Sequence, residues 1–70
     1  MNTGLKDRVI LVTGASGGIG AATVRMLVKE EAKVIASGRD EDKLANLAMD
    51  TGCEVLPFDL ESELSVREAL

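Results

Sequence analysis

Eight residues, TGASGGIG at positions 13–20, contain four glycines and directly follow the apolar run at residues 9–12. Where a strand leads through glycines into a helix, backbone N–H groups and the positive end of the helix meet at one point. Small residues also let a ligand approach the backbone closely. The stretch therefore predicts a binding site for a phosphate or pyrophosphate group. The alternative is a tight turn that binds nothing.

The spacing of these glycines separates the stretch from two other phosphate-binding loops. A P-loop needs a lysine directly after its last glycine, and none is present here; the pattern G-x-G-x-x-G is absent too. The chain instead has Thr13-Gly14, three residues, and then Gly18-Ile19-Gly20. This pattern resembles the T-G-x-x-x-G-x-G motif of the short-chain dehydrogenase/reductase family and matches it at every fixed position.

The resemblance implies a role for most residues of the loop. Gly14 would permit the turn out of the first strand, while Gly18 and Gly20 would let a pyrophosphate approach and the helix pack closely. The backbone of Ile19 would contact a phosphate, and its side chain would pack beneath the cofactor. Ser16 would lie near the adenosine ribose or its phosphate.

The segment Ser-Gly-Arg-Asp after the second predicted strand bears on the choice between NAD and NADP. An acid here would bond the ribose 2′-hydroxyl, whereas an arginine would pair with a 2′-phosphate. Gly38 stands where NAD-preferring relatives tend to have Asp. Arg39 follows it and could form a charge-assisted hydrogen bond with the 2′-phosphate, which contributes about 1.5–3 kcal/mol to binding. Ser37 could add a hydroxyl group. NADP is therefore expected rather than NAD, unless Arg39 is an exposed residue paired with Asp40 or Glu41.

Three further positions complete the expected cofactor site. Gly17 stands where NADP-preferring relatives often have a basic residue, so that marker of NADP is absent. Asp59 and Leu60 follow the third predicted strand, and the resemblance implies that Asp59 contacts the adenine amino group while Leu60 contributes backbone contacts. The alternative for Asp59 is that it begins the turn into a helix near Ser62.

Three short apolar runs predict the strands that position these residues. Residues 9–12 and 34–36 are continuously apolar, which is typical of strands buried on both faces of a parallel sheet. Residues 55–58 read as a third strand. Pro57 has no backbone N–H to donate, so this strand is expected at a sheet edge.

Three helices are predicted between and after the strands. The first begins at Gly18, and the second covers about residues 40–49, with Asp40 as its N-cap and Thr51-Gly52 as its stop. The third opens near Ser62. Spacing by three and four residues predicts one apolar stripe on the first helix, formed by Ile19, Ala22, Thr23, Met26 and Leu27. The apolar residues of the third helix are Leu64, Val66, Ala69 and Leu70.

The order of these elements is that of half a doubly wound α/β fold. We expect a Rossmann-type βαβαβα fragment with a three-stranded parallel sheet in the order 3-2-1, because right-handed crossovers then leave the third strand at an edge. The third helix shows no C-terminal signal before residue 70. Residues 1–70 are therefore expected to be the truncated N-terminal part of a dinucleotide-binding domain.

Composition excludes several other classes of protein. The net charge is -4 and the eight basic residues are dispersed, which argues against a nucleic-acid partner. Without histidine and with Cys53 as the one cysteine, no His/Cys zinc site or His-based triad forms within these residues, and no metal is expected. The apolar runs are far shorter than a membrane span, and the N-terminus does not resemble a signal peptide. A cytoplasmic location is expected.

The resemblance implies an oxidoreductase that interconverts a carbonyl and an alcohol by hydride transfer, and it implies a dimer or tetramer for the complete protein. The family's Asn-Asn-Ala-Gly segment and its Ser and Tyr-x-x-x-Lys catalytic set would lie beyond residue 70, and this chain has no tyrosine. The chain is thus expected to bind NADP but to be inactive alone. Two alternatives are a non-catalytic nucleotide-binding or regulatory module and a free-standing protein completed by self-association.

Overall fold

Two helices pack on one face of a four-stranded sheet in the computed structural model, which describes residues 6–57 and 64–68. The strand order is β3-β2-β1-β4. β1 is parallel to β2, and β2 is parallel to β3. The elements are β1 (Val9–Thr13), α1 (Gly18–Lys29), β2 (Lys33–Ser37), α2 (Glu41–Thr51), β3 (Glu54–Leu56) and β4 (Ser65–Glu68).

The predicted order of the three parallel strands is confirmed. β1 pairs with β2 from Val9 opposite Lys33 to Val12 opposite Ala36, and β3 continues the sheet on the far side of β2. β3 lies at the edge of the sheet, and Pro57 follows it directly. An edge strand tolerates proline because its outer N–H groups have no ladder partner to lose.

The predicted third helix is wrong over residues 65–68, which form β4 instead. This strand runs antiparallel to β1, from Thr13 opposite Ser65 to Ile10 opposite Glu68. An isolated helix of two or three turns is marginal in water, whereas pairing satisfies the N–H and C=O groups along the open flank of β1. The helix expected from the order of elements is therefore replaced by pairing with a partner distant in sequence. Ser62, Ala69 and Leu70 lie outside the described residues.

The face by which α1 packs also differs from the predicted stripe. The buried residues of this helix are Gly20, Val24 and Leu27. Of the predicted stripe, Leu27 is buried, whereas Ile19 is 76% exposed and Met26 is 56% exposed. The reason is steric, because the helix turns its smallest residue, Gly20, toward the preceding loop and the rest of the buried face follows from that orientation.

The ends of α2 follow the sequence signals closely. Asp40 is the N-cap, and its carboxylate accepts a hydrogen bond from the backbone N–H of Lys43 at 3.1 Å. Gly52 ends the helix in the left-handed conformation, with φ of 77°, which glycine adopts at low cost. Leu44 and Leu47 are buried on the side of α2 that faces the sheet and α1.

The core lies between the two helices and the covered face of the sheet. Its strand residues are those that alternate toward the helices, so β1 and β2 each contribute every second side chain. No helix among the described residues is long and apolar enough to cross a membrane. The core residues are Ile10, Val12, Ala15, Val24, Leu27, Ala32, Val34, Ala36, Leu44 and Leu47.

Shortening Leu44 tests this core. Its side chain is fully buried, so Leu44→Ala is expected to lower the free energy of unfolding by about 2–5 kcal/mol, from lost burial and the remaining cavity. Met49 is on the same helix and 87% exposed, so Met49→Ala is expected to change it by less than about 0.5 kcal/mol. Urea unfolding followed by circular dichroism measures both, and equal effects would contradict the packing described.

Candidate functional site

The glycine loop between β1 and α1 is held in place by backbone hydrogen bonds. Gly14 has φ of 68°, a left-handed conformation that lets the chain turn sharply out of β1. The N–H of Gly17 donates to the carbonyl of Gly14 at 3.2 Å, and the N–H of Ala15 donates to the carbonyl of Ser37 at 2.8 Å. The second bond ties the loop to the end of β2, so the two predicted parts of the site are neighbours.

Within residues 6–57 and 64–68, no protein group neutralises the first turn of α1. Gly17 is the N-cap and offers no side-chain hydrogen bond, and there is no acidic residue in the first turn. The other helix is the opposite case, because Asp40 caps α2 and Glu41 and Asp42 occupy its first turn. Unsatisfied N–H groups and the helix dipole therefore leave the start of α1, and not that of α2, available to an anion.

The two glycines at the start of α1, Gly18 and Gly20, differ in whether protein packing requires them. A Cβ placed on Gly20 would lie 2.7 Å from the Cα of Ala15, so protein packing alone requires glycine there. A Cβ placed on Gly18 would have no heavy atom of the described residues within 4 Å, and Gly18 does not have a positive φ. The space in front of Gly18 is thus open, as a phosphate approaching the helix N-terminus requires.

The residue after the first helical glycine is unusually open for an apolar side chain. Ile19 is 76% exposed, whereas Gly20, Val24 and Leu27 form the buried face of the same helix. It stands beside the uncapped N-terminus of α1, where the family resemblance implies a cofactor. Its exposure leaves the side chain free to pack against a bound molecule.

The end of β2 packs against the glycine loop at Gly38. This residue is buried, and a Cβ placed on it would lie 2.8 Å from Ser16 Oγ and 3.1 Å from the Ser16 backbone nitrogen. Ser37 is also buried, with 4% of its surface exposed. The structure therefore brings Ser16, Ser37 and Gly38 together, and any side chain at position 38 would displace Ser16.

Arg39 lies just beyond this contact and is exposed. Within residues 6–57 and 64–68 its guanidinium makes no ion pair, so the pairing with Asp40 or Glu41 that the sequence left open is not found there. The carboxylate of Asp40 is engaged with a backbone N–H of α2 instead. The contact between Arg39 and a phosphate remains a prediction.

Asp59 and Leu60, the two residues expected to contact adenine, lie outside the described residues. The described residues nearest to them in sequence are Pro57 and Leu64. Their assigned roles stay predictions from the family resemblance.

A groove between α1 and α2, next to the glycine loop, was not anticipated from the sequence. It is lined by Ser16, Gly17 and Gly18 of the loop region and by Arg25, Lys43 and Asn46 of the helices. No local sequence pattern predicts that charged residues on two separate helices line the same groove. A signal was present only in the position of Lys43, which lies in the first turn of the helix that follows Arg39.

Comparison with known proteins gives matches along most of the chain. Residues 8–70 match the family model described as short chain dehydrogenase. An uncharacterized oxidoreductase of Staphylococcus haemolyticus is 43% identical over 67 residues, which cover 91% of this chain and 29% of that protein. An uncharacterized oxidoreductase of Bacillus subtilis is 54% identical over 43 residues, covering 61% of this chain and 12% of that protein.

A solved structure agrees with these matches. The crystal structure of L-sorbose reductase from Gluconobacter frateurii, complexed with NADPH and L-sorbose, is similar with a TM-score of 0.64 and 33% sequence identity. The similarity covers 80% of this chain and 23% of that one. The chain thus spans less than a third of the length of each of these three proteins.

The two glycines at the start of α1 are expected to respond differently to alanine. Gly20→Ala forces the helix away from the loop, and it is expected to lower the free energy of unfolding by about 1–3 kcal/mol. Gly18→Ala meets open space in a helix, so its stability is expected to stay equal or rise by up to about 1 kcal/mol. Chemical unfolding of both variants measures the difference. A large loss in Gly18→Ala would show that the open space is filled by protein.

Proposed function

The chain belongs to the short-chain dehydrogenase family, and on that premise we propose that its glycine loop and the end of β2 bind NADP for an oxidoreductase that interconverts a carbonyl and an alcohol. One observation carries the proposal. The first turn of α1 has no side-chain cap, and the space before Gly18 is open. Packing against the described residues does not require glycine at position 18, so the open space is available to a ligand. When bound, the nicotinamide cofactor supplies or takes up the hydride.

The pyrophosphate would be held by backbone groups of the loop and of the first turn of α1. Gly14 lets the chain turn sharply out of β1, and Gly18 leaves the space before the helix clear of the described residues. The backbone of Ile19 would donate to a phosphate oxygen, while Gly20 holds the helix against the loop. These contacts are the same for NAD and NADP.

The preference for NADP would arise at the end of β2. Arg39 provides an exposed guanidinium without an ion-pair partner among the described residues, and such a group binds a phosphate through two parallel hydrogen bonds. Gly38 is packed on Ser16 and brings no acid that would repel a 2′-phosphate. Ser16 would add a hydroxyl donor, whereas Ser37 is buried and already has an interaction within the protein. The NADPH in the similar L-sorbose reductase supports the same choice.

We further propose that these 70 residues hold the cofactor and that the family's catalytic Ser, Tyr and Lys come from residues outside them, since this chain has no tyrosine. Asp59 and Leu60 are proposed as the adenine contacts on the strength of the family motif alone. A cytoplasmic location and assembly into a dimer or tetramer remain predictions of the sequence and of the family.

Reversing the charge of Arg39 tests the cofactor preference. Arg39→Asp is expected to weaken NADPH binding by roughly 10- to 100-fold and to leave NADH binding nearly unchanged, because only NADPH carries the 2′-phosphate. Isothermal titration of both nucleotides measures this. Lys33→Asp is the matched control, since Lys33 is exposed at the opposite end of the same strand. An equal loss of both affinities would remove Arg39 from the site.

Catalysis is tested separately from binding. The 70-residue chain is expected to bind NADPH without oxidising it when L-sorbose or another carbonyl compound is added, because no residue of the chain supplies the family's tyrosine proton. Absorbance of NADPH at the nicotinamide band measures the outcome. Turnover by this chain alone would contradict the assignment. Binding without turnover in the longer protein would favour the non-catalytic nucleotide-binding module.

A further inference from the structure

The groove between α1 and α2 opens beside the part of the glycine loop that packs against the end of β2. Ser16 lines the groove and is also the residue against which Gly38 is packed. Arg39 follows Gly38 directly in the chain. Arg39 is not among the residues that line the groove, but a phosphate that contacts Ser16 would lie at its edge, and Lys43 lies on its wall.

The two cations of the groove differ in their charge balance. The Nε of Arg25 is 3.1 Å from Oδ2 of Asp50, so its charge is already compensated by the protein. Lys43 is exposed and forms no ion pair with any residue in the described part of the chain. Of these two groups, only Lys43 brings an uncompensated positive charge to the groove.

The backbone of Lys43 is fixed by a hydrogen bond, while its ammonium group pairs with no residue in the part of the chain that the structure describes. Its N–H donates to Oδ1 of Asp40 at 3.1 Å, which fixes the first turn of α2. The next residue, Leu44, is fully buried and anchors the same turn in the core. The carboxylate of Asp40 is thus engaged with the backbone of Lys43, and the four-carbon stem lets the ammonium group follow a ligand.

Gly17 keeps the loop side of the groove clear. A Cβ placed on Gly17 would lie 3.6 Å from the carbonyl oxygen of Gly14, an ordinary contact, and Gly17 does not have a positive φ. Packing therefore permits a side chain at position 17, and glycine leaves the groove open between the loop and Lys43.

We propose that Lys43 is a second cationic contact for the 2′-phosphate of NADP and joins Arg39 in setting the preference over NAD, an inference that rests on the proposed function. A phosphate monoester carries about −1.5 to −2 charges near neutral pH, more than one guanidinium balances. Glu41 and Asp42 add negative charge to the same helical turn. Lys43 offsets that repulsion and supplies the cation that is missing at Gly17.

The test compares nucleotides with and without the 2′-phosphate on the 70-residue chain. Dissociation constants are measured for NADPH and NADH, and for adenosine 2′,5′-bisphosphate and adenosine 5′-monophosphate, with the unaltered chain, Lys43→Gln, Lys43→Arg and Lys29→Gln. Lys29 is the matched control, because it is an exposed lysine in the last turn of α1, at the end of that helix away from the loop. Circular dichroism verifies that each variant keeps its helices.

Lys43→Gln is expected to weaken binding of the two 2′-phosphorylated nucleotides by about three- to tenfold, with less than twofold change for the other two. Lys43→Arg is expected to retain the preference, and Lys29→Gln to leave all four constants unchanged. Raising the salt concentration should narrow the gap between the unaltered chain and Lys43→Gln, because an exposed charge contact is screened.

The outcomes separate this inference from the proposed function. If the unaltered chain prefers NADPH and Lys43→Gln behaves like Lys29→Gln, the role of Lys43 is overturned and the proposed function stands. If Lys43→Gln weakens all four nucleotides equally, Lys43 does not read the 2′-phosphate and the inference is again overturned. If the unaltered chain binds none of them, the proposed function fails and the role of Lys43 fails with it.

Discussion

The close contact between Gly20 and the backbone of the preceding loop is the constraint on which the rest of this site depends. A Cβ at position 20 would lie 2.7 Å from the Cα of Ala15, which is too close for any side chain. Because residue 20 is glycine, α1 can lie directly against the loop. The contact sets the rotation of the helix, which buries Val24 and Leu27 and turns Ile19 outward. It also aims the uncapped first turn at the open side of the loop, where the dipole and free N–H groups act together.

A second contact joins this anion site to the end of β2. The hydrogen bond from Ala15 to the Ser37 carbonyl and the packing of Gly38 on Ser16 make the loop and the strand end one unit. The expected pyrophosphate and ribose contacts are therefore held in one fixed relation by backbone atoms. Side chains are left for discrimination, which is the role proposed for Arg39 and Lys43.

Much of the fold was accessible from the sequence, because its signals were local or followed from connectivity. Asp40 and Gly52 mark the ends of α2 as caps do in general, and Pro57 together with right-handed crossovers placed β3 at an edge. The errors arose where a distant partner decides. Residues 65–68 were expected to be helical, yet they pair with β1. The apolar spacing of α1 was real, but a steric contact at Gly20 selected another face. The groove at Lys43 requires two helices to meet and has no sequence signature.

The outward position of Ile19 has a thermodynamic consequence. An isoleucine that is 76% exposed remains hydrated in the free chain, beside a helix end that attracts anions. A molecule that covers this side chain removes apolar surface from water, which favours binding by about 25 cal/mol per Å² buried. The same burial makes the heat-capacity change of binding negative. Recognition at this loop therefore combines two forces with different responses. The attraction to phosphate weakens as salt is added, whereas the burial of Ile19 is insensitive to screening and changes chiefly with temperature.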